Sequence, residues 1–169
     1  MKKILLSVLL LLAIGVTNSL LALLPNAWIN EIHYDNSGTD VAEIIEVVIK
    51  DEGLTISDFG VTLYNGNNGL AYGTKSVGTD FTYGGTTGGY LFYYFTYPVN
   101  GIQNGSPDGM ALSYSGSLIQ FLSYEGTFTA MDGVANGTLS TDIGVVEGAE
   151  AAGFSLQLTG SGTQYADFS

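Results

Sequence analysis

NGIQNGSPDGMALSYSGSLIQFLSYEG, residues Asn100 to Gly126, is the stretch that decides the fold. Met110 to Tyr114 and Leu118 to Tyr124 are short apolar and aromatic runs joined through Ser115-Gly116-Ser117, and this spacing predicts a β-hairpin. Asn104-Gly105 and Asp108-Gly109 read as positive-φ turns leading into it, with Ser106-Pro107-Asp108-Gly109 as a tight turn in which proline presets φ.

Upstream, Tyr90 to Tyr97 is an aromatic strand pattern that ends at Pro98, and Phe59 to Tyr64 is another, closed by Asn65-Gly66-Asn67-Asn68-Gly69. Between them residues 73–89 are mostly Gly, Thr, Ser and Tyr, a composition that predicts a long surface connection. Ala27 to Tyr34 and Val41 to Ile49 read as two further strands around the loop Asp35 to Asp40; the second is rich in β-branched residues, which favours strand over helix. Downstream, residues 128–153 read as a loop of small and polar residues, and Phe154 to Leu158 alternates apolar with polar as a half-buried strand does. Seven or so short strands, no helical period and no internal repeat at a fixed period predict an all-β fold, an antiparallel β-sandwich over residues 27–168.

Composition narrows the function classes. The 169 residues contain no cysteine, which removes thiol nucleophiles and zinc–thiolate sites. Formal charge is −12, with four basic residues against sixteen acids and no arginine. Lys2 and Lys3 fall in an N-terminal leader, so the remainder has only Lys50 and Lys75, a balance of about −14. Phosphate backbones are bound by clustered Lys and Arg, so a nucleic-acid partner is not expected. The leader itself, Met1-Lys2-Lys3 followed by ILLSVLLLLAIGV, has the basic and apolar regions of a secretory signal covering residues 1–22, with Thr17-Asn18-Ser19 or Leu20-Leu21-Ala22 as cleavage sites. It predicts a secreted or cell-surface protein, and an uncleaved leader is the only route to a membrane.

Four sets of residues are candidates for chemistry. Asp35, Asn36 and Asp40, with Glu31 and Glu43 on the flanking strands, offer the hard oxygen ligands that Ca²⁺ takes. The EF-hand spacing is missing, and the same Asp and Asn residues serve turn chemistry without a metal. His33 is the sole histidine; strand alternation places it with Glu31 and Ile29, away from Trp28 and Ile32. A His–Glu pair is capable of acid–base work, but no nucleophile signature completes a set, so a hydrogen-bonded structural histidine is the expected role. Glu125 with Asp108, Asp132 and Asp142 forms a second acidic group, again in turn positions. Finally, Tyr93, Phe95 and Tyr97, or their alternates on the same strand, are candidates for an aromatic ligand face.

The segments INEIHYDNSGTDVAEIIEVV, GVTLYNGNNG, IQNGSPDGMALSYSGSLIQFLSYEGTFTAMDG, STDIGV and SLQLTGSGTQYADF, in that order over about 140 residues, resemble the lamin-tail domain of secreted bacterial proteins. The resemblance implies an immunoglobulin-like β-sandwich. It also implies a non-catalytic unit for association with other extracellular or cell-surface proteins, for surface attachment, or for tethering extracellular hydrolases such as nucleases, beside which such domains commonly sit. A calcium-dependent secreted nuclease or phosphoesterase, or a fragment of one, is the enzymatic alternative; a calcium-stabilised adhesive module is a third. One departure stands out: the family pattern continues from the YADF segment into a Trp-containing strand, whereas this sequence ends at Phe168-Ser169.

Overall fold

The computed structural model describes residues 23–148 and 153–169; the leader expected at residues 1–22 lies outside them. Among the described residues ten strands form two five-stranded sheets. The first sheet has the order β10 (Leu156–Gln157), β1 (Ala27–His33), β2 (Ile44–Lys50), β6 (Tyr90–Thr96), β5 (Thr82–Thr87). The second has the order β4 (Leu70–Ser76), β3 (Phe59–Asn65), β7 (Asp108–Tyr114), β8 (Ser117–Tyr124), β9 (Thr141–Asp142). All pairings are antiparallel except β8 with β9.

The hairpin read from residues 100–126 is β7 and β8, closed by the two residues Ser115 (φ 47°) and Gly116 (φ 76°). Positive φ at both central positions is the geometry whose twist matches that of paired strands. Asp108-Gly109, expected as a turn, instead begins β7. Gly109 is there for space: a β-carbon would run into the Leu122 carbonyl of β8. Residues 73–89 are also ordered as strands, correcting the expected surface connection; β4 and β5, joined by the single helical turn Val77–Asp80, are the outer edges of the two sheets. Edge strands have one neighbour and need little apolar alternation, which is why their Gly- and Thr-rich sequence reads as loop.

The core lies between the sheets. Ile29, Ile32, Ile45, Val47 and Ile49 face Phe59, Val61, Leu63, Met110, Leu112 and Leu122, all buried. A smaller cluster covers the outer face of the second sheet, where Phe128, Ala130 and Ala135 pack on Tyr64, Ala111 and Phe121. Segment 126–140, legible only as a loop, therefore seals a sheet face and is pinned there by the Ala135 N–H donating to the Tyr64 hydroxyl at 3.1 Å.

The phase of β1 differs from simple alternation. Ile29 pairs with Val47 and Glu31 with Glu46, so Asn30 is an extra residue, a β-bulge. After it the faces exchange: Ile29 and Ile32 both point into the core, and His33 shares the outer face with Glu31 and Trp28, not with Ile29.

Candidate functional site

The loops that follow β1, β6 and β8 meet at one end of the sandwich, and buried carboxylates hold them together. Glu43, fully buried just before β2, accepts the backbone N–H groups of Gly101 (2.6 Å) and Ile102 (2.9 Å). Asp108, at the start of β7, accepts Gly66 N–H and Gly105 N–H, each at 2.7 Å. Glycine at 66 fits this clip, since a β-carbon would collide with the Pro107 carbonyl. Burial pushes both carboxyls above their ordinary range, and the two N–H donors on each work against that shift.

The third clip is the most elaborate. After β9 the chain crosses as a strap, residues 143–148, toward the first sheet, where Glu147 is buried. Its Oε1 lies 2.5 Å from His33 Nδ1; its Oε2 accepts Tyr34 N–H (2.5 Å) and Asp35 N–H (3.1 Å). The Glu147 N–H in turn donates to the Tyr34 hydroxyl at 2.8 Å. The other ring nitrogen of His33 is 3.2 Å from the Val41 carbonyl, which only accepts. An imidazolium satisfies both of these neighbours at once, and Glu147, already taking two N–H bonds, is suited to be its carboxylate. Burial alone would lower the His33 pKa; the hydrogen bond and charge of Glu147 reverse that and hold it above 6.5.

Aromatic packing supports the same end. Tyr34 stacks on Tyr124 with ring centroids 3.9 Å apart, the Tyr34 hydroxyl donates to Glu125 at 3.2 Å, and the Tyr124 hydroxyl donates to the Gln103 carbonyl. Beside them a polar depression of about 390 Å³ is lined by Asp40, Asn65, Asn100, Gln103, Asn104 and Asp108, among others.

The five residues considered for calcium do not converge. Asp35 and Asp40 do approach one another, since Asn104 Nδ2 donates to both, at 3.3 and 3.2 Å. Asn36 Oδ1 accepts Val41 N–H at 2.8 Å, and its buried amide nitrogen has no hydrogen-bond partner. Glu43 is turned away onto residues 101–102, and Glu31 is on the outer face of the first sheet, bonded to the Ser155 hydroxyl. Among the described residues no group of three or more His, Cys, Asp or Glu side chains is arranged to hold a metal ion. Of the second acidic group, Asp132 accepts the N–H of Ala71 in β4, and Asp142 accepts Gly144 N–H on its own loop.

The aromatic face is also corrected. Tyr93 and Phe95 pack against the core and Tyr97 belongs to it, its hydroxyl buried without a partner. Pairing of β6 with β2 places Tyr90, Phe92 and Tyr94 on the outer face, half-buried, with Tyr90 5.5 Å from Trp28.

His33 is hydrogen-bonded as expected, but to a residue 114 positions away instead of to Glu31. Nothing local marks Glu147: it stands in the small-residue run VVEGAEAAG with no turn or motif signal. Of the described residues, no helix is long and apolar enough to cross a membrane. No family model, curated protein or solved structure matches the chain.

Proposed function

We propose that the protein is a secreted, non-catalytic β-sandwich module of lamin-tail type, working in protein association, surface attachment or the tethering of extracellular hydrolases. The observation that carries this reading is the use made of its buried acids. Glu43 and Asp108 each accept two backbone N–H groups, and Glu147 takes Tyr34 N–H and Asp35 N–H on one oxygen and His33 Nδ1 on the other. A general acid or base has to exchange its proton with a substrate, and groups committed in this way serve architecture instead. The contact surface is the polar depression over residues 100–108, whose acidic and amide lining complements a basic patch on another extracellular protein.

Labelled secreted chain applied to the producing cells tests this. Saturable binding is expected, lost after protease treatment of the surface, weakened by salt, and reduced about tenfold by Asn104→Lys. Degradation of DNA in Ca²⁺ or Mg²⁺ that disappears in Asp35→Ala or Asp40→Ala would overturn the reading in favour of a nuclease.

A calcium-stabilised form of the same module is favoured by one contact: the Asn104 amide donating to both the Asp35 and Asp40 carboxylates occupies a position suited to a cation. In that form the melting temperature rises in millimolar Ca²⁺ and falls back with EDTA; an unchanged melting curve rules it out.

A further inference from the structure

On the flank opposite β4 and β5 the two sheets part. β1 has seven residues and β8 eight, but the strands outside them, β10 and β9, have two each. The core there is closed by the strap and the C-terminal residues in place of a full ladder, and a cavity of about 560 Å³ remains. Its floor is core: Ile32, Met110 and Leu122 are each no more than 5% exposed. Leu156, Tyr165 and Phe168 stand around it, and polar groups such as Asn30, Gln157 and Thr159 complete the lining.

We propose that this cavity is a binding site for a single-chain amphiphile with an uncharged head. The volume lies within the span of small-molecule sites, about 300–1,000 Å³. An apolar cavity of about 150 Å³ holds benzene, and by that ratio the space takes roughly twenty carbon-sized atoms. The charges select the head. Glu31 is the only charged residue among the described lining residues, so an anionic head meets no counter-charge. The two described lysines are elsewhere, Lys50 paired with Glu52 and Lys75 over the Phe95 ring. Glu31 itself is engaged by the Ser155 hydroxyl, which leaves little for a cation; the Gln157 amide, which makes no side-chain hydrogen bond among the described residues, and the Thr159 hydroxyl, which donates to the Ser169 carbonyl and can still accept, suit a neutral, hydrogen-bonding head. Alkyl chain burial then supplies the affinity.

The protein carries its own reporter. Trp28 is the only tryptophan, and its ring centroid is 5.5 Å from that of Phe168, a cavity residue. A ligand entering beside Phe168 alters the emission of Trp28.

The test titrates the full secreted chain with dodecan-1-ol. It follows Trp28 emission and displacement of the neutral dye N-phenyl-1-naphthylamine, with dodecanoate and dodecyltrimethylammonium in parallel. Dodecanol is expected to displace the dye, and both charged analogues to do so at least about tenfold more weakly. Leu156→Trp, which fills the cavity, lowers dodecanol affinity by about tenfold or more; should it not fold, Ile143→Trp fills the same space from the strap. Phe168→Leu keeps dye displacement but removes most of the Trp28 response. Failure to bind the dye, equal affinity for the three heads, or undiminished binding in a natively folded Leu156→Trp variant each overturns the proposal. So does self-association of the chain through this flank in place of ligand uptake. The cavity shares no lining residue with the polar depression over residues 100–108, so neither result bears on the association role proposed above.

Discussion

The loop end and the cavity flank are both places where the two sheets are joined, and they are joined in opposite ways. At the loop end a few directional bonds to buried carboxylates fasten one loop to another, as in Glu43 on residues 101–102, Asp108 on Gly66 and Gly105, and Glu147 on His33 and Tyr34. At the flank, apolar side chains around a cavity do the joining, with two-residue strands beside them. The difference is one of tolerance. A buried carboxylate has a small set of acceptable neighbours, and losing one leaves a charge or an N–H unsatisfied. Apolar contact is non-directional and accommodates changes of shape. The rigid end is suited to presenting a fixed surface to a partner, the adaptable flank to admitting a ligand.

That contrast breaks most visibly at Glu147. Replacing Glu147 with Ala leaves the His33 imidazolium and two N–H groups buried without their acceptor, and urea unfolding is expected to show a loss of about 3–5 kcal/mol. Glu43→Gln is milder, because the amide still accepts one of the two N–H groups while presenting its own NH₂ to the other; about 1–3 kcal/mol is expected by the same measurement. On the flank, Leu156→Ala removes a half-buried side chain beside space that already exists, and only about 1 kcal/mol is expected. A flank variant costing more than the Glu147 one would reverse the comparison.

Acidity sharpens it further. Glu43, Asp108 and His33 all have folded-state pKa values above their ordinary 4.5, 3.8 and 6.5. A group whose pKa is raised by folding contributes stability that is complete below its unfolded value and is lost as pH rises through its folded one. The carboxylates therefore favour the fold most in acid, and His33 adds a decline of its own as pH rises through its folded value, above 6.5. The melting temperature of the native chain is expected to fall between pH 6 and pH 9, and that decline to flatten in His33→Gln, a change in slope smaller than the losses above.

The sandwich was largely legible in the sequence because its central strands carry their own signals. β2 is β-branched almost throughout, and the β7–β8 hairpin shows two apolar runs around a small-residue turn. Among the edge strands β10 falls inside the alternating run Phe154 to Leu158, but β5 was not legible, since Thr82–Thr87 has no apolar alternation and owes its form to the neighbour it pairs with. One bulge at Asn30 was enough to reverse the face assigned to His33. At the loop end the short-range turn chemistry of Asp35 to Asp40 was readable, as in Asp40 accepting Asn36 N–H. The clips were not. Glu43, Asp108 and Glu147 look like ordinary surface acids until the fold sets loop N–H groups from distant positions against them, and Glu147 is 114 residues from its histidine.

Because His33 is the only histidine, its ring can be observed without assignment ambiguity. A ¹⁵N-resolved NMR titration of the imidazole across pH 5 to 9 tests the Glu147 clip directly. Both ring nitrogens are expected to be protonated at neutral pH, with a midpoint above 6.5 that falls when Glu147 is changed to Gln. A neutral ring at pH 7, titrating at or below 6.5 and indifferent to Glu147→Gln, would contradict the account.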